Sequence, residues 1–207
     1  TAPEVERDED ANPTNLFSAD FILPRKQMFF FLAVIFFFAL ALRAVRAFET
    51  GRIAKDAVDY VRMAQNISEN GLLNAFALNA RIPPLYIILM AAADRIGLGA
   101  ETGGILISIV SGALLTIPVF FIAKRLFASP LPALIAAFLT AVHPNLVRVS
   151  AEILRDPLFY LLSTVSLWMM IESAATRRNI FSFFAGIAAA FAVMTRSEGI
   201  ELMAAFI

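Results

Sequence analysis

A chain of 207 residues with 59% hydrophobic and 16% charged side chains is far more apolar than an average soluble domain, where roughly a quarter of residues are charged. Its formal net charge of zero removes the electrostatic case for nucleic acid as a partner. The absence of cysteine excludes a disulfide framework, thiolate chemistry and cysteine-based metal sites.

The apolar residues, 20 phenylalanines among them, come in long blocks and not as spaced stripes. The expected fold class is therefore all-α, a polytopic transmembrane helical bundle. Residues 1–20 are polar and acidic, with Glu4, Glu6, Asp8, Glu9 and Asp10 and no apolar periodicity. They read as a disordered tail. An acidic start is the reverse of the basic n-region of a signal peptide. Residues 21–207 read as the N-terminal part of one transmembrane domain. Spans are expected at about 27–48, 104–126, 131–149, 156–174 and 180–196. The apolar piece at about 84–97 is short and carries Asp94 and Arg95, which fits an interfacial helix better than a span. Thr1 and Ile207 both read as cut or processed ends, so part of the working protein is expected to lie beyond them.

Loop charges orient the chain, because cytoplasmic loops are enriched in Lys and Arg. Arg25 and Lys26 place the start of the first span inside. Lys124-Arg125 and Arg177-Arg178 also fall inside if 84–97 does not cross, and outside if it does; the first option is taken. Arg43, Arg46, Arg52 and Lys55 then lie at or beyond the outer end of the first span, where they await a functional reason. For Arg43 the plain alternative is snorkelling to the interface. This topology puts three segments on one outer side: the loop from about Glu49 to Gly103, the connection His143 to Asp156, and the turn Arg196–Glu198.

Four polar features lie in those segments. Residues 53–70 form an amphipathic pattern, with Ile53, Ala57, Val61, Ala64 and Ile67 on one face and Asp56, Asp59, Arg62 and Glu69 toward another. Asn70-Gly71 is a helix stop. A helix of this kind lies along a membrane surface, and it presents two carboxylates about one turn apart. The plain alternative is a solvated face with an Arg52–Asp56 ion pair at i,i+4. Next comes Arg81-Ile82-Pro83-Pro84-Leu85-Tyr86, where the prolines suit the first turn of a helix. The third feature runs from His143-Pro144 through Arg148 and Glu152 to Arg155-Asp156-Pro157. Ionisable residues this close to hydrocarbon are costly and suggest function. A lone His143, however, reads first as a hydrogen-bonded structural residue. The fourth is Thr195-Arg196-Ser197-Glu198-Gly199, which also reads as an ion-paired helix end.

In order, Asp56-Ala57-x-x-Tyr60, Ala64, Gly71, Pro83-Pro84-Leu85-Tyr86, His143-Pro144, Asp156 and Arg196-x-Glu198-Gly199 resemble the C-type membrane glycosyltransferases. The likeness is to the branch of protein O-mannosyltransferases and lipid A aminoarabinose transferases, and it covers about residue 27 onward. Ile82 stands where many relatives carry a basic residue before the double proline, with Arg81 one step earlier, and Ala57 replaces an acidic neighbour. The resemblance implies a polyprenyl-phosphate-linked sugar as donor. It implies a protein or lipid-linked glycan as acceptor, on the non-cytoplasmic face of a bacterial or archaeal cell membrane. It also implies interfacial helices in the first outer loop and an aspartate there, matched by Asp56.

Such a donor carries its own good leaving group. The chemistry then needs a base for the acceptor proton and cations for the phosphate. Asp56 is the candidate base, acting with inversion. Arg81, Arg52 and Arg148 are candidates for the phosphate, and Arg43 could play the same part. Asp59, Tyr60 and Asp156 complete the substrate-binding candidates, Asp156 to orient the acceptor or hold a cation. No cofactor is assigned; two carboxylates with His143 are compatible with a divalent metal but do not demand one. This stretch alone is expected to be inactive. The alternatives are a transporter or flippase of a lipid-linked substrate, or a non-catalytic assembly subunit.

Overall fold

The computed structural model describes residues 23–50, 55–71 and 82–201. The acidic tail, Arg52 and Arg81 lie outside the described residues. Among those residues every regular element is helical: α1 Arg25–Thr50, α2 Lys55–Asn70, α3 Leu85–Arg95, α4 Ala100–Leu114, α5 Thr116–Phe127, α6 Pro130–Val142, α7 Pro144–Ser150, α8 Asp156–Thr176 and α9 Asn179–Val193, then a single 3₁₀ turn at Ser197–Gly199.

Three stretches are long and apolar enough to cross a bilayer: Arg25–Glu49, Ala100–Phe127 (α4 running on into α5) and Asp156–Thr176. A fourth arises if α6 and α7, bent by 53° at His143, count as one broken span. α9 has 15 residues, apolar but short of the ~20 that hydrocarbon asks for. α3 has 11 residues, roughly 16 Å of helix, about half the thickness of the hydrocarbon core. Gly97 and Gly99, both at positive φ, turn the chain straight from α3 into α4. Asp94 Oδ1 accepts the Ala100 amide at 3.0 Å across that turn.

The bundle is sorted by size and not by polarity. Ala133, Ala137 and Ala141, at every fourth position of α6, are fully buried. So are Ala39 on α1 and Ala113 on α4, which pack against Ala141. Most of the exposed large side chains of α1 are phenylalanines, with Phe30 and Phe37 each 64% exposed, while Phe120 on α5 is buried. Lipid tails are as apolar as a side chain, so burial of large residues gives no drive between helices. Small residues that let backbones approach supply it instead.

Arg43 is the exception inside this packing, with no exposed surface. Pro144 has no N–H, so the carbonyl four residues earlier, at Thr140, loses its helical partner. Arg43 Nη1 donates to Ala141 O at 3.0 Å and Nη2 to Thr140 O at 3.4 Å. The guanidinium thereby holds the carbonyl end of α6 at the bend. Neither a phosphate role nor snorkelling is what the fold gives Arg43: it is buried on a set of orphan carbonyls. Its charge consequently says nothing about which side of the membrane that end of α1 faces.

α2 and α3 form a layer across one end of the bundle. Their inward residues Ala57, Tyr60, Ala64, Ile67, Tyr86, Ile87 and Met90 join one buried cluster with Ile153 and Leu158. Arg95 closes the layer by donating to the carbonyls of Ser68 and Ile67, each at 3.2 Å, at the end of α2.

Candidate active site

The site is built where this layer meets the ends of α8 and α9. α2 ends as its sequence requires, with Gly71 at φ +86° and its amide on Ile67 O at 3.0 Å. Its buried positions are spaced three and four apart, which leaves Asp56, Asp59, Arg62 and Glu69 exposed. Asp56 lies in the first helical turn, where a carboxylate is favoured by the helix dipole. Tyr60 follows one turn later and points inward, 4% exposed. Ala57, also fully buried, shows that the position after Asp56 faces the core.

Tyr60 meets Tyr86 of α3 edge to face, with centroids 6.0 Å apart. Tyr86 in turn reaches α4. Its hydroxyl lies 2.9 Å from Gly104 O and 2.9 Å from Ser108 Oγ, and Ser108 Oγ lies 2.9 Å from Leu154 O. Two hydroxyl protons thus serve three contacts. The relay ties α3 and α4 to the backbone two residues before Asp156. Burial pushes the Tyr86 hydroxyl up from its ordinary range. Tyr60 is raised as well, first by burial. Arg155 opposes that shift, Asp56 and Asp156 add to it, and Arg196 opposes it again. Four charges from three segments therefore act on one phenol.

Arg196 organises the far side. One guanidinium nitrogen pairs with Asp156 and the other with Glu198 Oε1 at 2.6 Å, and the group lies over the Phe159 ring at 5.8 Å. The hydrogen bond from Arg196 is the largest reason that the Glu198 carboxyl falls to about 2. The same bond raises Arg196. Gly199 is required by space: a Cβ there would come within 2.6 Å of Val193 N and 2.7 Å of Ala192 C. The double-proline segment is docked beside this turn, on the end of α9, with the Leu85 amide on Met194 O at 2.9 Å.

The fold thus brings Asp56, Tyr60 and Asp156 to one place with Arg196 and Glu198. Asp59 sits nearby on the exposed side of α2. Arg148 stands apart: exposed, it donates to Asn145 Oδ1 at 2.9 Å within α7. His143 caps α7, its Nδ1 accepting the Leu146 amide at 3.4 Å. Sequence reasoning passed over Arg155, Tyr86 and Ser108 as site residues. Arg155 stands beside Asp156 in the chain, and its Nη1 is enclosed without a hydrogen-bond partner among the described residues. Its signal was a cation next to a singled-out acid. Tyr86 was visible in the double-proline motif but had no assigned partner, and Ser108 gave no signal inside an apolar block. No group of three His, Asp or Glu side chains gathers as a metal cage among the described residues; Asp156 already holds a cation, the Arg196 guanidinium.

Long apolar helices, with a polar group gathered at one end under a layer of short helices, define an integral membrane protein of the polytopic all-α class. Residues 81–207 match the model of the dolichyl-phosphate-mannose-protein mannosyltransferase family, and the chain belongs to that family. Membership supports glycosyltransferase activity of the mannosyltransferase type in general. No curated protein and no solved structure matches the chain.

Proposed function

We propose that the protein moves a sugar from a polyprenyl-phosphate donor to an acceptor hydroxyl on the non-cytoplasmic face, with inversion and with Asp56 as base. The observation that carries this reading is the gathering of Asp56, Tyr60, Arg155, Asp156 and Arg196 at one end of the bundle. There a lipid-borne head group would meet both cations and an exposed carboxylate. The acceptor oxygen forms its bond to the anomeric carbon as the bond to the phosphate oxygen breaks. The bonding pair leaves on the phosphate, and the acceptor proton passes to the Asp56 carboxylate. Arg196 is already neutralised by two carboxylates. Arg155, whose enclosed Nη1 has no described partner, is the better-placed described cation for the phosphate, beside the sequence candidates Arg81 and Arg52. Asp156 then acts through Arg196, fixing the turn beside which the double-proline segment rests.

The test is transfer of labelled sugar from a polyprenyl-phosphate donor by the intact enzyme. Transfer with inverted anomeric configuration supports the reading. Movement of intact donor across the bilayer without sugar transfer would turn it into a flippase. The face is tested separately. A cysteine at Gln65 should react with an impermeant thiol reagent added from outside, while one at Lys124 stays protected. The reverse pattern would place the site in the cytoplasm.

A further inference from the structure

A second cleft opens at the far end of the bundle. It encloses about 350 Å³ between α5, α8 and α9 and is lined by Phe121, Lys124, Arg125, Trp168, Glu172 and Phe181. Glu172 lies sixteen residues along α8 from Asp156, roughly 24 Å of helix, so this cleft belongs to the opposite membrane face from the candidate active site. Phe121 and Trp168 stack nearly parallel, with centroids 4.6 Å apart and planes within 8°, making a flat aromatic wall. The polar rim carries two cations and one acid. Arg125 Nε stands 3.8 Å from Glu172 Oε2, a long and partly exposed contact. Lys124, on the same rim, has no ion-pair or hydrogen-bond partner among the described residues. Arg177 and Arg178 follow in the α8–α9 connection, so the surroundings are positive too.

A bare pair of basic residues at a helix end marks a membrane surface and nothing more. Here the pair edges a cavity whose walls are aromatic, set among helices that span the bilayer. A soluble anion would gain nothing from those walls, whereas a lipid carries both parts. Basic recesses between transmembrane helices suit anionic head groups, Trp suits the interfacial level beside them, and Phe suits the acyl carbons below. We propose that the cleft holds an anionic phospholipid. Its phosphate sits on Lys124 and Arg125, and its glycerol and upper acyl carbons lie against Phe121, Trp168 and Phe181.

Trp168 is the only tryptophan in these 207 residues, so, with any tryptophan elsewhere in the intact protein replaced by phenylalanine, its fluorescence reports occupancy directly. The full chain is reconstituted in phosphatidylcholine vesicles holding a small fraction of brominated lipid. Brominated phosphatidylglycerol should quench Trp168 several-fold more than the same fraction of brominated phosphatidylcholine. High salt should remove most of that excess, because the contact is charge-driven. Lys124→Gln with Arg125→Gln should abolish it, while Arg177→Gln with Arg178→Gln should leave most of it. Equal quenching by the two lipids overturns the proposal, as does loss of the excess in the Arg177/Arg178 variant alone. Relief of quenching by excess inorganic phosphate at constant ionic strength would make the cleft a free-anion site and overturn the lipid assignment. Should the Lys124/Arg125 variant not fold, the salt and phosphate arms on the native chain still decide.

Discussion

Arg196, in the turn after α9, pairs with Asp156 in the first turn of α8, forty positions earlier in the chain. The pair closes the α8–α9 hairpin at the end where α2 and α3 cover the bundle. A second arm of the same guanidinium holds Glu198. Both side chains of the Arg196–Asp156 pair are about three-quarters buried, and geometry of this multiply paired kind is stronger than an ordinary surface ion pair.

The Glu198 arm gives a pH prediction. The folded carboxyl titrates at about 2, below its ordinary 4.5. A depressed carboxylate contributes stability that is complete above the unfolded value and lost as pH falls through the folded one. Wild type should therefore exceed Glu198→Gln in melting temperature near neutral pH. That advantage should persist to about pH 4.5 and vanish as the pH falls toward about 2. A difference that is constant with pH would show that Arg196 does not hold the carboxylate.

The Tyr86–Ser108–Leu154 relay gives a second. Ser108→Ala leaves the partly buried Leu154 carbonyl without its side-chain partner, a loss of roughly 1–2 kcal/mol. Tyr86→Phe leaves Ser108 free to serve Leu154 and should cost less, about 1 kcal/mol. Because Leu154 precedes Arg155 and Asp156, Ser108→Ala should also weaken sugar transfer more than Tyr86→Phe does. Equal melting temperatures for the two variants would remove the relay from any role in placing Asp156.

The all-α, apolar character was legible because length and composition define it; among the described residues three stretches are long enough to span, while α9 has only 15 residues. α2 was legible because its face repeats at helical spacing, and α3 because it is short and charged at its end. The bend at His143 was not. Its proline was in view, but residues 131–149 read as one continuous span, since whether a proline kinks or ends a helix depends on what satisfies the freed carbonyls. Those partners come from Arg43, nearly a hundred residues away. Arg43 itself was misread for the same reason: position along α1 says where it starts, not what it meets. At the site, Asp156 announced itself as an ionisable residue near hydrocarbon, whereas Asp56 was singled out by the family resemblance, its spacing alone reading as a solvated face. Tyr60 and Tyr86 looked like part of a pattern, and only their packing shows that they join α2 to the Asp156 segment. Arg148 and Arg155 were indistinguishable as basic residues of one connection, and the fold turns only the second toward Tyr60.

Close packing around Arg43 gives a third prediction. A Cβ added at Gly112 would collide with Ser150 Oγ and come within 2.8 Å of Arg43 Nε, whereas one at Gly186 meets nothing within 4 Å. Gly112→Ala should destabilise by about 1–3 kcal/mol, the usual cost of overpacking. Gly186→Ala should change stability by no more than about 1 kcal/mol, the helix-propensity difference between the two residues. Reversible unfolding in mixed micelles can compare them. A benign Gly112→Ala would mean that α1, α4 and α7 do not approach as described.

The last prediction bears on the chemistry. Asp56 is exposed at the start of α2 and carries no hydrogen bond or ion pair among the described residues, so its carboxylate oxygens are free to take a proton. Its charge nevertheless reaches Tyr60, the phenol on which Asp156 and Arg196 also act. Asparagine has nearly the same shape but cannot accept a proton at neutral pH. General base catalysis contributes typically 10²–10⁴-fold, so Asp56→Asn should cut sugar transfer in the intact enzyme by roughly that factor. Donor binding should survive, since the change removes a negative charge from the neighbourhood of a phosphate. Asp59→Asn, three residues on and also exposed, should cost less than about tenfold, because holding a substrate hydroxyl is a smaller effect than moving its proton. Glu69→Gln, at the other end of α2, should be silent. Full activity in Asp56→Asn, or a larger loss in Asp59→Asn, would remove Asp56 as the base and leave α2 as a solvated helix covering the end of the bundle.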